Sequence, residues 1–431
     1  MKNAYDILVE RGFVAQATDA ESLRERLENN QVRCYVGFDP SAASLHVGSL
    51  VPIMAMAHMQ RQGHVPIALI GGGTGLIGDP SGKTEMRQLL TSEQIDDNAR
   101  GLQEQLFRYV DFQNGKAILL NNADWLTKLN YIEFLRDIGR HFSVNKMLAA
   151  ECYKMRLEKG LNLIEFNYML LQAYDFLYLF EHQDCQLQMG GSDQWGNILA
   201  GADLIRRVKG KVAYGLTFPL LVTSRGHKMG KTEKGAIWLD PALTTPYEYY
   251  QYWINTDDAD VGRFLALFTF LPMEEIGVVS RLADAELNMA KAVLAFEITK
   301  ITHGEAAAIA AWTASTAAFN VRPVDAGIFP ASTIPRFHPE SAAVHGIKSL
   351  EKTRVELTTG IPAFELFYEA AVCISRGEAR RVIAQGGGYV NDRQIDNFDD
   401  KITIDAVNEQ GLIMLRKGRK TFFTVTIKDA K

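Results

Sequence analysis

Residues 33–38 read as a buried strand that is stopped at Asp39-Pro40-Ser41, and from Gly48 an apolar run begins that lasts to Met59. Cys34, Tyr35, Val36, Gly37 and Phe38 are the small, aromatic and β-branched residues of a strand covered on both faces. Pro40 donates no backbone N–H and fixes its φ, so the chain has to turn there. The run from Gly48 has helical character. Strand, loop and helix in that order point to an α/β architecture. They also aim the first N–H groups of the helix at whatever lies above the loop. A nucleotide bound there would meet those N–H groups and the nearby imidazole of His46.

The alternation repeats. Residues 65–70 form a second strand pattern, 116–120 a third and 186–189 a fourth, with helical segments between them. Residues 4–30 also look helical, where Thr18 or Asp19 can cap a turn carrying Leu23 and Leu27. The expectation is a Rossmann-type parallel sheet with its ligand at the strand C-termini. Behind the second strand, Gly73, Gly75 and Gly78 match the dinucleotide fingerprint letter for letter. That fingerprint needs a helix to open at once, and Asp79-Pro80-Ser81-Gly82 resists one. Gly82-Lys83-Thr84 resembles the end of a phosphate-binding P-loop, but the glycine required earlier is Ile77. Lys83 and Arg87 sit four apart and suit either phosphates or a solvated basic face.

Two further segments carry chemistry. In 166–176, Tyr168, Gln172 and Asp175 recur at four and three residues, so on a helix they share one face. Buried polar groups are costly unless paired, and this face interrupts a run of Leu, Tyr and Phe, so it is expected to line a site. In 228–232, Lys228 and Lys231 flank Gly230 on a small loop that can fold over a triphosphate.

The chain's 431 residues suffice for two to four domains. A net charge of −5 argues against coating nucleic acid by bulk charge and leaves room for local basic patches. Cys34, Cys152, Cys185 and Cys373 are far apart, as reduced thiols in a cytosolic protein would be. No run is apolar enough to span a membrane. Residues 245–319 are helical in pattern, 320–360 carry four prolines and read as a linker, and the tail holds Arg376 and Arg380 on one helical face, followed by a basic 416–420.

Residues 35–50 resemble the first signature of the class I aminoacyl-tRNA synthetases, a His-x-Gly-His turn with Ser49 in place of the second histidine. The flanking Tyr-x-Gly-Phe-Asp-Pro is similar to the tyrosine-specific branch. Residues 228–232 resemble the second signature, Lys-Met-Ser-Lys-Ser, with Gly230 and Thr232 replacing the serines. Residues 374–391 resemble the S4 RNA-binding module. The resemblance covers nearly the whole chain and implies a catalytic domain at 1–244 with signature loops at 40–49 and 228–232. A helical anticodon-binding domain at 245–319, a linker at 320–360 and an α+β S4-like domain at 361–431 would follow.

The implied reaction is tyrosine activation by ATP with Mg2+, then transfer to tRNA(Tyr), with no protein-bound structural metal. His46, Ser49, Lys228, Lys231 and Thr232 would be catalytic. Tyr35 and Asp175 would take the phenolic hydroxyl, with Asp79, Tyr168 and Gln172 at the amino group and Gln194 at the carboxylate. Asp39, His46, Gly48, Asp193 and the two lysines would hold ATP. Lys83, Arg87, Arg376, Arg380 and Arg381 would contact tRNA. The insertion around 136–144 would pair two subunits of a cytoplasmic homodimer. A tryptophan-specific relative shares the signatures, but Tyr35 and Asp175 suit a phenol better than an indole N–H, which only donates. An RNA-binding protein with a dead nucleotide fold is opposed by the intact His46, Lys228 and Lys231. A dinucleotide oxidoreductase is opposed by Asp79-Pro80.

Overall fold

Six strands order themselves as β1-β6-β5-β2-β3-β4, with β2 (Arg33–Phe38) between β3 (Val65–Ile70) and β5 (Cys185–Gly191). The computed structural model describes residues 2–431 except 82–89, 151–152, 154–156, 158–159, 225, 227–228, 233–234, 320–323, 326, 337–348, 392, 408–410, 419–420 and 429–431. β3 pairs with β4 (Ile118–Asn121) and β5 with β6 (Tyr214–Phe218), all parallel, while β1 (Gln16–Ala17) runs antiparallel to β6. The chain builds β2, β3 and β4 outward on one side, then returns to lay β5 on the other side of β2. Strand order therefore reverses beside β2, and a crevice opens at the carboxyl ends there.

The helical region 4–30 is two helices, α1 (Ala4–Glu10) and α2 (Ala20–Asn29), the second capped by Asp19, one of the two cap candidates in the sequence. Gly12 takes φ +86° behind α1, a left-handed conformation that ends the helix. The two-residue β1 then pairs with β6, and Asp19 accepts the Ser22 N–H to start α2. α3 (Leu50–Arg61) follows the first signature turn and is buried along most of its length, as a helix lying on a sheet must be. α4 (Ser92–Leu106) begins in a capping box between Thr91 and Gln94.

The chain divides into two compact units. One comprises Met1–Thr244, Asn255–Leu294 and Ile301–His303; the other comprises Thr245–Ile254, Ala295–Lys300 and Gly304–Lys431. In the second, a five-stranded sheet holds Gly388–Val390, Arg393–Gln394, Leu412–Lys417, Thr421–Lys428 and Ser349–Thr353. Its Met414 packs on Ala314 and Ala318, with Tyr247 beside them.

The proposed linker 320–360 is too long. Ser349–Thr353 pairs parallel with Thr421–Lys428, and Thr353 caps the helix Arg354–Thr359 in a box with Glu356. Ser-Leu-Glu-Lys-Thr has one apolar residue, Leu350, so no strand period announces it. No helix among the described residues is long and apolar enough to cross a membrane.

Candidate active site

The crevice above β2 and β5 is a cleft of ≈ 390 Å³ lined by residues from every parallel strand end and from the helix Leu163–Gln183. Its closed end holds Tyr35 and Asp175. Both are 2% exposed, and the Tyr35 hydroxyl has no hydrogen-bond partner among the described residues. Burial pushes the Tyr35 hydroxyl well above its ordinary pKa, and the nearby Asp175 charge adds to it.

The Asp175 carboxylate accepts from Asn122 Nδ2 at 2.8 Å and from Trp125 Nε1 at 2.7 Å. Burial raises its pKa to about 7 against those two bonds, which pull it down. Asn122 is saturated. Its Oδ1 accepts the Gly73 and Thr74 N–H groups, and its Nδ2 also donates to Thr74 Oγ1 at 3.0 Å. Thr74 Oγ1 in turn donates to Asp39 at 2.9 Å, and Tyr168 donates to the other Asp39 oxygen at 3.0 Å.

A second network lies along the cleft. Gln194 Nε2 donates to Asp79 at 2.6 Å, and Gln194 Oε1 accepts from Gln172 at 3.2 Å and Asn197 at 3.1 Å. Asn197 also donates to Gln172 Oε1 and Ser81 Oγ. The helix period thus brings Tyr168, Gln172 and Asp175 onto one wall, and the β3 and β5 loops bring Asp79 and Gln194 opposite. Asp193 lies at the rim, its carboxylate accepting from Gln194 Nε2 at 3.2 Å.

The first signature turn closes the outer end. His46 Nδ1 accepts the Gly48 N–H at 2.9 Å, so the neutral ring carries its proton on Nε2. The ring meets Trp238 edge-on at 6.2 Å. A Cβ on Gly48 would lie 2.6 Å from His46 Cε1, so only glycine fits there. Ser49 makes no capping hydrogen bond through its side chain. In the second signature loop, Gly230 has φ +84°, and its carbonyl accepts the Ile237 N–H at 3.0 Å. A Cβ there would lie 3.0 Å from Gly48 N, so this loop's backbone rests on the first turn. Lys228, Lys83 and Arg87 lie outside the described residues, as do the side chains of Lys231 and Thr232.

Residues 27–320 match the family model for tRNA synthetases class I (W and Y), and 344–425 match a tyrosine–tRNA ligase SYY-like C-terminal domain. A tyrosine–tRNA ligase of Syntrophus aciditrophicus is 64% identical over 99% of this chain and 100% of its own length. One of Caldanaerobacter subterraneus is 52% identical over 98% of the chain and 99% of its own. The chain belongs to the tyrosine–tRNA ligases of class I.

A C-terminally truncated mitochondrial tyrosyl-tRNA synthetase of Aspergillus nidulans superposes on this family member with a TM-score of 0.65 at 32% identity, covering 72% of this chain and 93% of that one. The Archaeoglobus fulgidus enzyme, at 17% identity and TM-score 0.54, shares the fold. Beside the ligase cleft lies a second, mostly apolar cavity of ≈ 900 Å³, in which Ser192 and Asp193 again form a wall together with Phe142, Met147, Trp195 and Leu199.

Sequence reasoning missed Asn122, Trp125 and Gln188. Gln188 is the register partner of Tyr35 on β5, and its buried amide oxygen has no partner among the described residues. The available signal was position: Asn122 follows β4 directly at a strand C-terminus. In the tail, Arg376 and Arg380 are engaged inside their own module. Arg376 pairs with Glu365 at 2.6 Å, and the Arg380 guanidinium lies 4.0 Å from the Phe364 ring centroid. Arg381 is exposed. Among the described residues, no group of three or more His, Cys, Asp or Glu side chains could hold a metal ion.

Proposed function

We propose that the cleft joins the carboxylate of L-tyrosine to the α-phosphorus of ATP, expels pyrophosphate, and passes the tyrosyl group to the 3'-terminal adenosine of tRNA(Tyr). The observation that carries this reading is the closed end. A buried hydroxyl with no partner among the described residues and a buried carboxylate with two fixed donors face the same space, a match for a group that both donates and accepts. Asp79, Tyr168 and Gln172 receive the ammonium, and Gln194 sits at the carboxylate. Asp39, Gly48 and Asp193 line the ATP end. Magnesium accompanies ATP as part of that substrate complex.

The chemistry is positioning and electrostatics. The carboxylate oxygen attacks phosphorus as the bond to pyrophosphate breaks, and negative charge grows on the phosphate oxygens. His46, with its proton on Nε2, donates to one of them, while Lys228, Lys231 and Thr232 act on the leaving pyrophosphate. Ser49 contributes at most a short-reach hydroxyl. The test is pyrophosphate exchange driven by each of the twenty amino acids. Tyrosine alone should support it; exchange driven by tryptophan, or by none, rejects the reading.

The tail serves tRNA through Arg376, Arg380 and Arg381, all three exposed on the helix Arg376–Ala384, with Lys83 and Arg87 at the acceptor end. A truncation that removes the last sheet has to end before Ser349, because that strand pairs inside it. Such a protein should keep tyrosine-dependent pyrophosphate exchange and lose tRNA charging, more so as salt rises. Equal loss of both half-reactions rejects the assignment.

A second copy of the chain is the partner proposed for the segment between β4 and β5. Tyr131, Ile132, Val144 and Leu163 of that segment are exposed, Ile132 and Leu163 at 70% and 72%, and exposed large apolar side chains suit self-association. The reading places the enzyme in the cytoplasm.

A further inference from the structure

We propose that one face of α4 positions the His46 turn, and that Gln105 and Gly101 thereby set the rate of adenylate formation without touching either substrate. The inference rests on the role given to His46 above. Asn98, Gly101 and Gln105 are spaced by three and four residues and share a helix face. Each meets the first signature loop. Asn98 Nδ2 donates to the Pro40 carbonyl at 3.0 Å. The Gly101 backbone lies so close to the loop that a Cβ would sit 2.3 Å from the Ala43 carbonyl oxygen. Gln105 Oε1 accepts the N–H of Leu45, the residue before His46, at 2.9 Å, and its Nε2 donates to Ser44 Oγ at 3.1 Å.

The same anchor reaches the segment behind the second signature loop. Ser44 Oγ accepts the Asp240 N–H at 3.2 Å, and the Leu45 carbonyl accepts the Leu239 N–H at 2.9 Å. One buried carboxamide thus holds the backbone on both sides of the phosphate-facing end. Gln105 is 3% exposed.

Packing of α4 does not require these residues. Ile95, Ala99, Leu102 and Leu106 already bury its apolar face. A mid-helix glycine is less favourable than alanine by about 1 kcal/mol, and a buried amide is unfavourable unless bonded. Both exceptions occur where α4 meets the loop. This gives Gly101→Ala opposed effects: helix propensity favours alanine, whereas the backbone contact forces the loop to shift. A displacement near 1 Å at a reacting group lowers a rate by about 10²-fold.

Single-turnover adenylate formation is the measurement. Gly101→Ala and Gln105→Leu should each slow it by ~10–100-fold, with tyrosine affinity by equilibrium dialysis within about twofold of the parent. Introduced into His46→Ala, each should add almost nothing, because the residue acts through His46. Gln105→Glu, which keeps an acceptor for the Leu45 N–H, should recover most of the rate and serves also if Gln105→Leu does not fold. The proposal is overturned by unchanged rates, by tyrosine affinity falling in step with the rate, or by a full additional loss in the His46→Ala background. A parent enzyme that makes no tyrosyl-adenylate would reject the functional reading itself, a result distinct from any of these.

Discussion

Asp175→Asn will lower kcat/KM for tyrosine by about 10²–10⁴-fold in a protein that stays folded and gains stability over its parent as pH rises. The catalytic loss follows from the geometry. The phenol loses a charged acceptor, and a hydrogen bond to a charged group contributes roughly 1.5–3 kcal/mol, with a further ~1–3 kcal/mol for the hydroxyl left buried and unsatisfied. The stability gain follows from the titration. Burial raises the Asp175 pKa from 3.8 to about 7, the bonds from Asn122 and Trp125 opposing it. The folded protein therefore holds this proton more tightly than the unfolded chain does. The stabilisation is full below the ordinary carboxylate range and is lost as pH rises through about 7.

Asparagine does not titrate. Chemical denaturation at pH 5 and pH 8 should show the variant gaining roughly 2–3 kcal/mol on its parent over that interval. In the parent, tyrosine affinity should strengthen as pH rises through about 7, since the phenol donates to the ionised carboxylate. A folded Asp175→Asn enzyme that activates tyrosine normally removes this residue from the site. A stability difference that does not change with pH removes the raised pKa.

His46→Ala will slow adenylate formation by ~10²–10³-fold, the usual loss for one donor to a developing oxyanion, and leave tyrosine affinity unchanged. Its Nδ1 is committed to the Gly48 N–H and its ring is held against Trp238, which fixes where the Nε2 proton points. Tyr35 and Asp175 lie at the other end of the cleft and do not touch it. Stopped-flow activation together with equilibrium tyrosine binding separates the two quantities. Parallel losses in both would mean that His46 props the fold and takes no part in the step.

The legible parts of this molecule were those with a local period. β2, β3, β4 and β5 announced themselves as short apolar runs between breakers. Tyr168, Gln172 and Asp175 could be grouped because a helix repeats every 3.6 residues. β1 is two residues long and exists only through β6. β6 reads Tyr-Gly-Leu-Thr-Phe, with Tyr, Leu and Phe alternating, but Gly215 inside it and Pro219 directly after it are breaker residues that obscure the pattern. The same limit explains the site. Asn122 and Trp125 reach Asp175 across some fifty residues of chain, and Gln105 reaches Leu45 across sixty. Such pairings are made by tertiary folding and leave no spacing in the sequence. In the tail, the four-residue interval of Arg376 and Arg380 was visible, whereas Glu365 and Phe364, which occupy them, belong to a different helix.

The saturated amide of Asn122 also bears on redesign of the pocket. Every hydrogen-bonding position of its side chain is in use, and through Thr74 and Asp39 it joins Asp175, proposed to read the ring hydroxyl, to Tyr168, proposed to sit at the other end of the amino acid. A change at Asn122 or Thr74 would therefore disturb both ends of the amino acid together. Tyr35 stands apart from that chain of bonds, its hydroxyl without a partner among the described residues. A library meant to admit amino acids with altered ring substituents has its latitude at Tyr35 and on the β5 side at Gln188, while Asn122 and Thr74 stay as the frame against which any new side chain is measured.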